Sequence, residues 1–414
     1  MPQRIVIVGA GFAGLYSALS ARRLISQNGK DAEIEVVVIA PNQSLTIRPR
    51  LYEASPATLA APLGDLFMAT GVKFVTGTVR NIRTSTRKVN FTDAAGEESD
   101  MAYDRLILAA GSHLKMPDVP GLKEHAFNVD QLQAATELDQ HLHDLVSLPR
   151  NTARNTVVVC GGGFTGIEVA AELPARLRSI LGEKEEIRVV VVERNLDIGP
   201  ALGPGPRPII KQAFEDYGIE TKLGVEVSQV DAKGATTSTG ERIEASTVIW
   251  TVGMVATELT TQIHGDKDQL GRLIVDANLQ VPHTPSVFAT GDAARAVADD
   301  DGHAAMMSCQ HALVLGRSSG HNAAADLLQL PKRPYAQPYY GTCLDLGPAA
   351  AVLTEGWDRK VLQIGGQAKA VKKFINTMLI YPPPANAVEA YKAADPDYKM
   401  PDLDPSLFQY DVQA

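Results

Sequence analysis

Residues 156–173, TVVVCGGGFTGIEVAAEL, carry the reading that decides the fold. Thr156 followed by Val157, Val158 and Val159 reads as a strand buried on both faces. Gly161, Gly163 and Gly166 then fall at GxGxxG spacing where a helix opens, with Phe164 and Thr165 between the last two. The first glycine permits a tight turn, the second lets a pyrophosphate approach the backbone, and the third lets helix pack on strand. The phosphate then sits on the helix N-terminus. About twenty residues on, the apolar run 187–192 ends in Glu193. A carboxylate there can accept hydrogen bonds from a ribose 2'-hydroxyl and repels a 2'-phosphate, which favours NADH over NADPH. Arg194 beside it weakens that preference, so NADPH stays open. Glu168, two residues past Gly166, reads either as part of a solvated face with Glu172 or as a neighbour of the nicotinamide.

A second unit of the same kind opens the chain. The strand 4–8 runs into Gly9, Gly11 and Gly14, with Phe12 and Ala13 inside the motif, and a helix over 14–24 follows. The next strand, 34–39, ends in Ala40 where the pattern expects Asp or Glu. A methyl group cannot bind a ribose hydroxyl, and Asn42 is the nearest side chain able to substitute. Arg48 and Arg50 bracket Pro49 in a loop that suits a pyrophosphate or flavin, with an ordinary charged turn as the alternative. Short strands are expected over 72–75 and 79–82, a hairpin around Ala95-Gly96, and a strand over 103–109 running into Ala110-Gly111-Ser112. Beyond the central motif come a helix ending near Gly218 and a strand over 247–250 that closes on Gly253.

Two βαβ units in series predict an α/β protein with two Rossmann-like dinucleotide-binding domains. The expected division is 1–120 and 285–330 for the first, 121–284 for an inserted second, and 331–414 for a C-terminal module and arm. Residues 286–292, SVFATGD, deliver Gly291 and Asp292 at the carboxyl end of a strand, where ligands collect in open α/β sheets. Asp292 reads as an acceptor for a sugar-alcohol chain or as a helix N-cap. A long helix over 307–328 carries Gln310 and His311 near its start. His311 is taken as an ordinary core or surface histidine, since no second ligand lies at metal-like spacing. No metal is expected.

After Pro331 three strands, 339–346, 350–353 and 360–364, lead to a helix over 368–380. That helix sets Val371, Phe374, Ile375, Met378 and Leu379 on one face with Lys369, Lys372 and Lys373 beside it. It reads as a basic helix at a membrane interface or as one packed on its own sheet. The stretch 384–414 looks like an arm that needs a partner surface to be ordered, and it leaves a homodimer open.

Bulk composition narrows the classes. The chain has 414 residues, 45% of them apolar, with 39 Lys and Arg against 48 Asp and Glu. A net charge of −9 without a basic block argues against nucleic acid. The three cysteines, Cys160, Cys309 and Cys343, form neither a disulfide framework nor a local dithiol pair. The first strand starts too close to Met1 for a signal peptide, and no apolar run reaches the ~18 residues of a membrane span. The expectation is a cytoplasmic protein, with a peripheral place on the membrane's cytoplasmic face left open.

GAGFAG near the start, AAGS at 109–112, GGGFTGIE at 161–168, WTVG at 250–253 and FATGD at 288–292 together resemble the two-dinucleotide-binding flavoprotein superfamily. The layout without a cysteine pair resembles its type II NADH:quinone oxidoreductases. That resemblance implies FAD on the N-terminal motif and NADH on the inserted one. It places Asp292 on the flavin ribityl chain, Arg48 and Pro49 near the flavin, Glu168 by nicotinamide and flavin, and Gln310 on the quinone side. Glu168 and Gln310 are the expected catalytic residues. Val79, Ala110, Gly111, Gly253 and Gly291 complete the expected cofactor contacts. Hydride would pass from NADH to FAD and two electrons onward to a quinone-type acceptor without thiol chemistry. A soluble NAD(P)H-dependent reductase of a small organic molecule or carrier protein, and an NAD-responsive interaction protein, are the rival readings.

Overall fold

The structure, a computed structural model, describes residues 2–399. Two parallel sheets organise it. The first runs in the order Val287–Ala289, Arg105–Leu108, Gln3–Val8, Ile34–Ala40, Lys73–Thr76, every pairing parallel. The second runs Ile219–Leu223, Arg188–Glu193, Thr156–Cys160, Thr247–Trp250, again all parallel. The central strands are apolar at nearly every position because both faces of each sheet are covered, one by helices and the other by an antiparallel three-stranded sheet (78–102 in the first unit, 227–244 in the second), leaving no solvated side on which alternation would pay off. Val157, Val158 and Val159 are each fully buried.

Each glycine motif opens a helix, Phe12–Gln27 in the first unit and Phe164–Leu181 in the second. The long helix Cys309–Leu327 lies against the first of these. Their backbones come close because Gly316 and Gly320 have no side chain: a Cβ on them would meet Ala13 O at 2.5 Å and Ser17 O at 2.1 Å. Ser17 and Ser319 bond across the seam at 2.9 Å.

The chain passes from the first sheet to the second and back through an antiparallel ribbon, Ser112–Leu114 beside Met254–Ala256. Gly253 begins the return with φ +98°, and a Cβ there would lie 2.9 Å from Lys115 O, so a larger residue would spread the ribbon.

The C-terminal module is an antiparallel sheet, Gly341–Asp345, Ala351–Glu355 and Lys360–Ile364, covered by the helix Gly365–Phe374. Here the structure departs from the regular period expected over 368–380. The helix continues as a π-helical turn, Ile375–Leu379, and the wider turn rotates the face. Met378 is 66% exposed, while Lys372 and Asn376 are buried. Lys369 and Lys372 turn inward to carboxylates, so the expected basic stripe keeps only Lys373 at the surface.

The C-terminal arm also differs from expectation as far as residue 399, since it docks on the chain's own first unit. Its helix Ala387–Ala393 is N-capped by Asn386. Arg23 pairs with Asp395, and the Arg317 guanidinium lies between the Tyr16 and Tyr398 rings at 4.6 and 4.7 Å. The remainder of the arm, 400–414, lies outside the described residues.

Candidate functional site

Both motif helices begin at a glycine, Gly11 and Gly163, with no side-chain cap and no acid in the first turn. Their first N–H groups are therefore left for an anion. The glycines divide the work as their spacing implies. Gly9 and Gly161 take φ +108° and +110°. A Cβ on Gly14 or Gly166 would stand 2.0 or 1.9 Å from the carbonyl of Gly9 or Gly161. A Cβ on Gly11 or Gly163 would meet nothing within 4 Å. The open space lies where a pyrophosphate would come in, and the crowded positions are where the helix is held to the strand.

Beside the first motif is a cavity of about 380 Å³, lined by Gly9, Ala40, Val79, Arg80, Ala110 and Glu258 among others. Its size is that of a small-molecule site. Asn42 is exposed and is not among the lining residues. From the same cavity the first sheet's carboxyl end leads to Ser112 and Asp292. Ser112 donates to Asp292 Oδ2 at 2.6 Å and accepts from Arg48 Nη1 at 2.9 Å. Arg48 also pairs with Asp130, whose other oxygen accepts the Leu114 amide at 3.0 Å. Burial pushes the Asp292 carboxyl up, opposed by Ser112 and Arg48. Gly291 turns at φ +59°, and a Cβ there would lie 2.7 Å from Ala13 Cβ, so its lack of a side chain lets Asp292 sit at the first motif's helix. Arg48 and Pro49 form the 3-10 turn Arg48–Arg50. Asp292, Arg48 and the start of the first motif's helix are thus brought together, with Ser112 and Asp130 as partners that were not foreseen.

At the second motif, Glu193 ends its strand as expected and is buried. One oxygen accepts the Gly162 amide at 2.7 Å and the other the Asn195 amide at 2.8 Å. It fixes the turn of the glycine loop from the strand beside it.

Glu168 lies in the fifth position of the second motif's helix and is only 4% exposed. Its Oε1 accepts from Lys372 Nζ at 2.7 Å and from the Asp345 amide at 3.0 Å. Lys372 Nζ also donates to Cys343 O at 3.1 Å. Asp345 in turn holds Lys369 and accepts from the Tyr52 hydroxyl at 2.8 Å. Burial raises the Glu168 carboxyl to about 7 against the pull of Lys372. Lys372 is disfavoured by burial, yet Glu168 holds its ammonium above the usual lysine range. Tyr52 comes from the loop of Arg48, Glu168 from the second unit and Lys372 from the C-terminal module, so three separate segments close on one buried proton-binding group. The solvated-face reading of Glu168 is excluded by its burial.

Gln310 starts the helix Cys309–Leu327, and its Oε1 is buried without a partner among the described residues. His311 beside it is fully buried, bonded through Nδ1 to Ser308 at 3.0 Å and packed 4.8 Å from the Tyr340 ring. Burial lowers it to about 4, so it stays neutral, in keeping with a core histidine. Burial pushes the Cys160 and Cys343 thiols to about 12 and Cys309 to about 11. Asp299, Asp301 and His303 bring ligand atoms within 4.8 Å of one another, but Asp299 is taken up by His303 and the Trp357 ring N–H.

The pyridine nucleotide-disulphide oxidoreductase family model matches residues 3–316. The chain belongs to that family. It is 44% identical over 383 residues to an NADH dehydrogenase-like protein of Mycobacterium tuberculosis, covering 92% of this chain and 94% of that one. It is 24% identical over 398 residues to a type II NADH:quinone oxidoreductase of Staphylococcus saprophyticus, covering 92% and 95%. Plasmodium falciparum NDH2, solved in complex with NADH, has a similar fold, with a TM-score of 0.77 at 15% identity over 95% of this chain and 97% of that one. Its relatives within the family thus carry the names NADH dehydrogenase-like and type II NADH:quinone oxidoreductase. Membership makes it an oxidoreductase of the FAD and NAD(H) class. Among the described residues no helix is long and apolar enough to cross a membrane.

Proposed function

We propose that the protein is an FAD-dependent NADH dehydrogenase that delivers two electrons to a quinone-type acceptor without thiol chemistry. FAD is assigned to the loop of Gly9, Gly11 and Gly14 with Ala110, Gly111 and Asp292. NADH is assigned to that of Gly161, Gly163 and Gly166 with Glu193. Bound there, FAD supplies a two-electron store between nicotinamide and acceptor.

The chain's own part is positioning and proton supply. The open helix N-termini draw the two pyrophosphates, and the glycines let them approach the backbone. Asp292, held by Ser112 and Arg48, offers an acceptor for a polyol chain. Gln310 lies on the acceptor side with a carbonyl oxygen free for a donor.

The observation that carries the acceptor class is the Glu168–Lys372 pair. A quinone takes up two protons with its two electrons, whereas a carrier protein or ferricyanide takes electrons alone. A carboxyl titrating near 7 and held by a buried ammonium is suited to keep a proton at Glu168 Oε and release it at neutral pH. The names of the distant relatives point the same way. Thiols held protonated at all three cysteines, Cys160 and Cys343 buried and Cys309 half-buried, support the absence of thiol chemistry.

The test is an acceptor panel with NADH, comparing short-chain quinones, ferricyanide, oxygen and protein carriers. The proposal expects quinones to be favoured, and Glu168→Gln to slow quinone reduction while sparing ferricyanide. A protein carrier as the best acceptor, with Glu168→Gln indifferent, would replace this reading by a soluble reductase.

A further inference from the structure

The first glycine motif lacks its ribose-binding acid, since its second strand ends in Ala40, followed by Pro41, both lining the 380 Å³ cavity. An adenosine ribose placed there would find a methyl group where its two hydroxyls need an acceptor. The lining does contain one carboxylate, Glu258, which comes from a separate segment of the chain. We propose that Glu258 is the ribose-binding residue of the FAD site and takes the role that Ala40 cannot fill. This rests on assigning FAD to the N-terminal motif.

Three observations carry the inference. Glu258 is solvent-accessible, and its carboxylate enters no ion pair or hydrogen bond among the described residues, so both oxygens remain available. Its backbone, in contrast, is fixed. It opens the 3-10 turn Glu258–Gln262, whose leading residue Thr257 donates its amide to Gly111 O at 3.0 Å. At the other end Gln262 accepts the Ile82 amide at 2.7 Å and donates to Arg80 O at 2.9 Å, tying the turn to the strand Thr78–Arg83, whose Arg80 also lines the cavity. A free acceptor on a rigid support loses little on binding. Finally, the turn directly follows the return strand Met254–Ala256. The carboxylate therefore comes from the segment that re-enters the first unit, and no pattern confined to residues 1–42 could contain it.

The experiment titrates FAD and FMN into apoprotein and follows flavin fluorescence. Hydrogen bonds to a carboxylate lead us to expect that Glu258→Ala weakens FAD by about tenfold to a hundredfold. FMN has no adenosine, so its affinity should be the same in wild type and variant. Adding Ala40→Glu to Glu258→Ala should recover FAD binding by restoring an acid at the end of the strand Ile34–Ala40. FAD affinity unchanged in Glu258→Ala, or an equal loss for FMN, overturns the inference while leaving FAD in the site. Wild-type apoprotein that takes up no FAD overturns the site assignment and the inference with it.

Discussion

Lys372 Nζ lies 2.7 Å from Glu168 Oε1 across 204 residues of sequence, and each side chain is about 5% exposed. A buried ion pair of this kind contributes little against an apolar replacement of both partners, but losing one partner strands a charge. Lys372→Met should therefore destabilise the protein by about 3 to 5 kcal/mol above neutral pH, and by less in mild acid, where Glu168 takes a proton. Glu168→Gln combined with Lys372→Met should cost less than Lys372→Met alone. Urea unfolding of the three variants at two pH values measures this, and additive costs would mean that the pair is uncoupled.

The same carboxyl makes stability depend on pH. Its value in the folded protein is raised from 4.5 to about 7, so the folded state binds its proton more tightly than the unfolded chain does. The resulting stabilisation is complete below the unfolded value and is lost as pH rises through about 7. At about 1.4 kcal/mol for each tenfold change in proton affinity, it amounts to on the order of 3 kcal/mol. Wild type should lose Tm relative to Glu168→Gln between mildly acidic and neutral pH. Parallel Tm profiles would show that Glu168 titrates normally.

The two kinds of glycine in the second motif should separate on substitution. A Cβ at Gly163 meets nothing, so Gly163→Ala should leave stability within about 0.5 kcal/mol of wild type while weakening NADH. At Gly166 a Cβ would lie 1.9 Å from Gly161 O, and Gly166→Ala should cost about 1 to 3 kcal/mol and weaken NADH as well. Retained flavin absorbance in both would confine the damage to the second site. Undiminished NADH affinity in Gly163→Ala would place the pyrophosphate elsewhere.

Alkylation tests the thiols. With all three pushed to about 11 or 12 by burial, iodoacetamide at neutral pH should leave the native protein unmodified and active. Rapid modification of Cys343 with loss of activity would bring thiol chemistry back.

The arm can be loosened at one ring. Tyr398→Ala removes one of the two aromatic faces that hold Arg317 and should cost about 1 to 2 kcal/mol. Because the other face, Tyr16, belongs to the first motif's helix, heating should release flavin earlier in the variant. Unchanged release would mean that the arm is bystander packing.

The two glycine motifs and their strands were legible because local spacing creates them: the strand, turn and helix are contiguous, and the third glycine of each motif packs on the first, five residues before it. Glu168 could be singled out but not understood, since Lys372 and Asp345 reach it only after the C-terminal sheet has folded over the second unit. The rotation of the helix after Phe374 was not legible either, because a π-helical turn breaks the period from which a face is inferred. Asn42 was chosen as the nearest polar residue along the chain, whereas the cavity is completed by a segment more than two hundred residues away.

The ribbon of Ser112–Leu114 beside Met254–Ala256 has one last consequence. Antiparallel neighbours lie about 5 Å apart, so the chain leaves the first unit and rejoins it at almost a single point. The segment between those strands is thus joined covalently at one place, and recombination that keeps Glu168 for Lys372 and Asp345 would exchange the second glycine loop while leaving the connectivity of the first sheet intact.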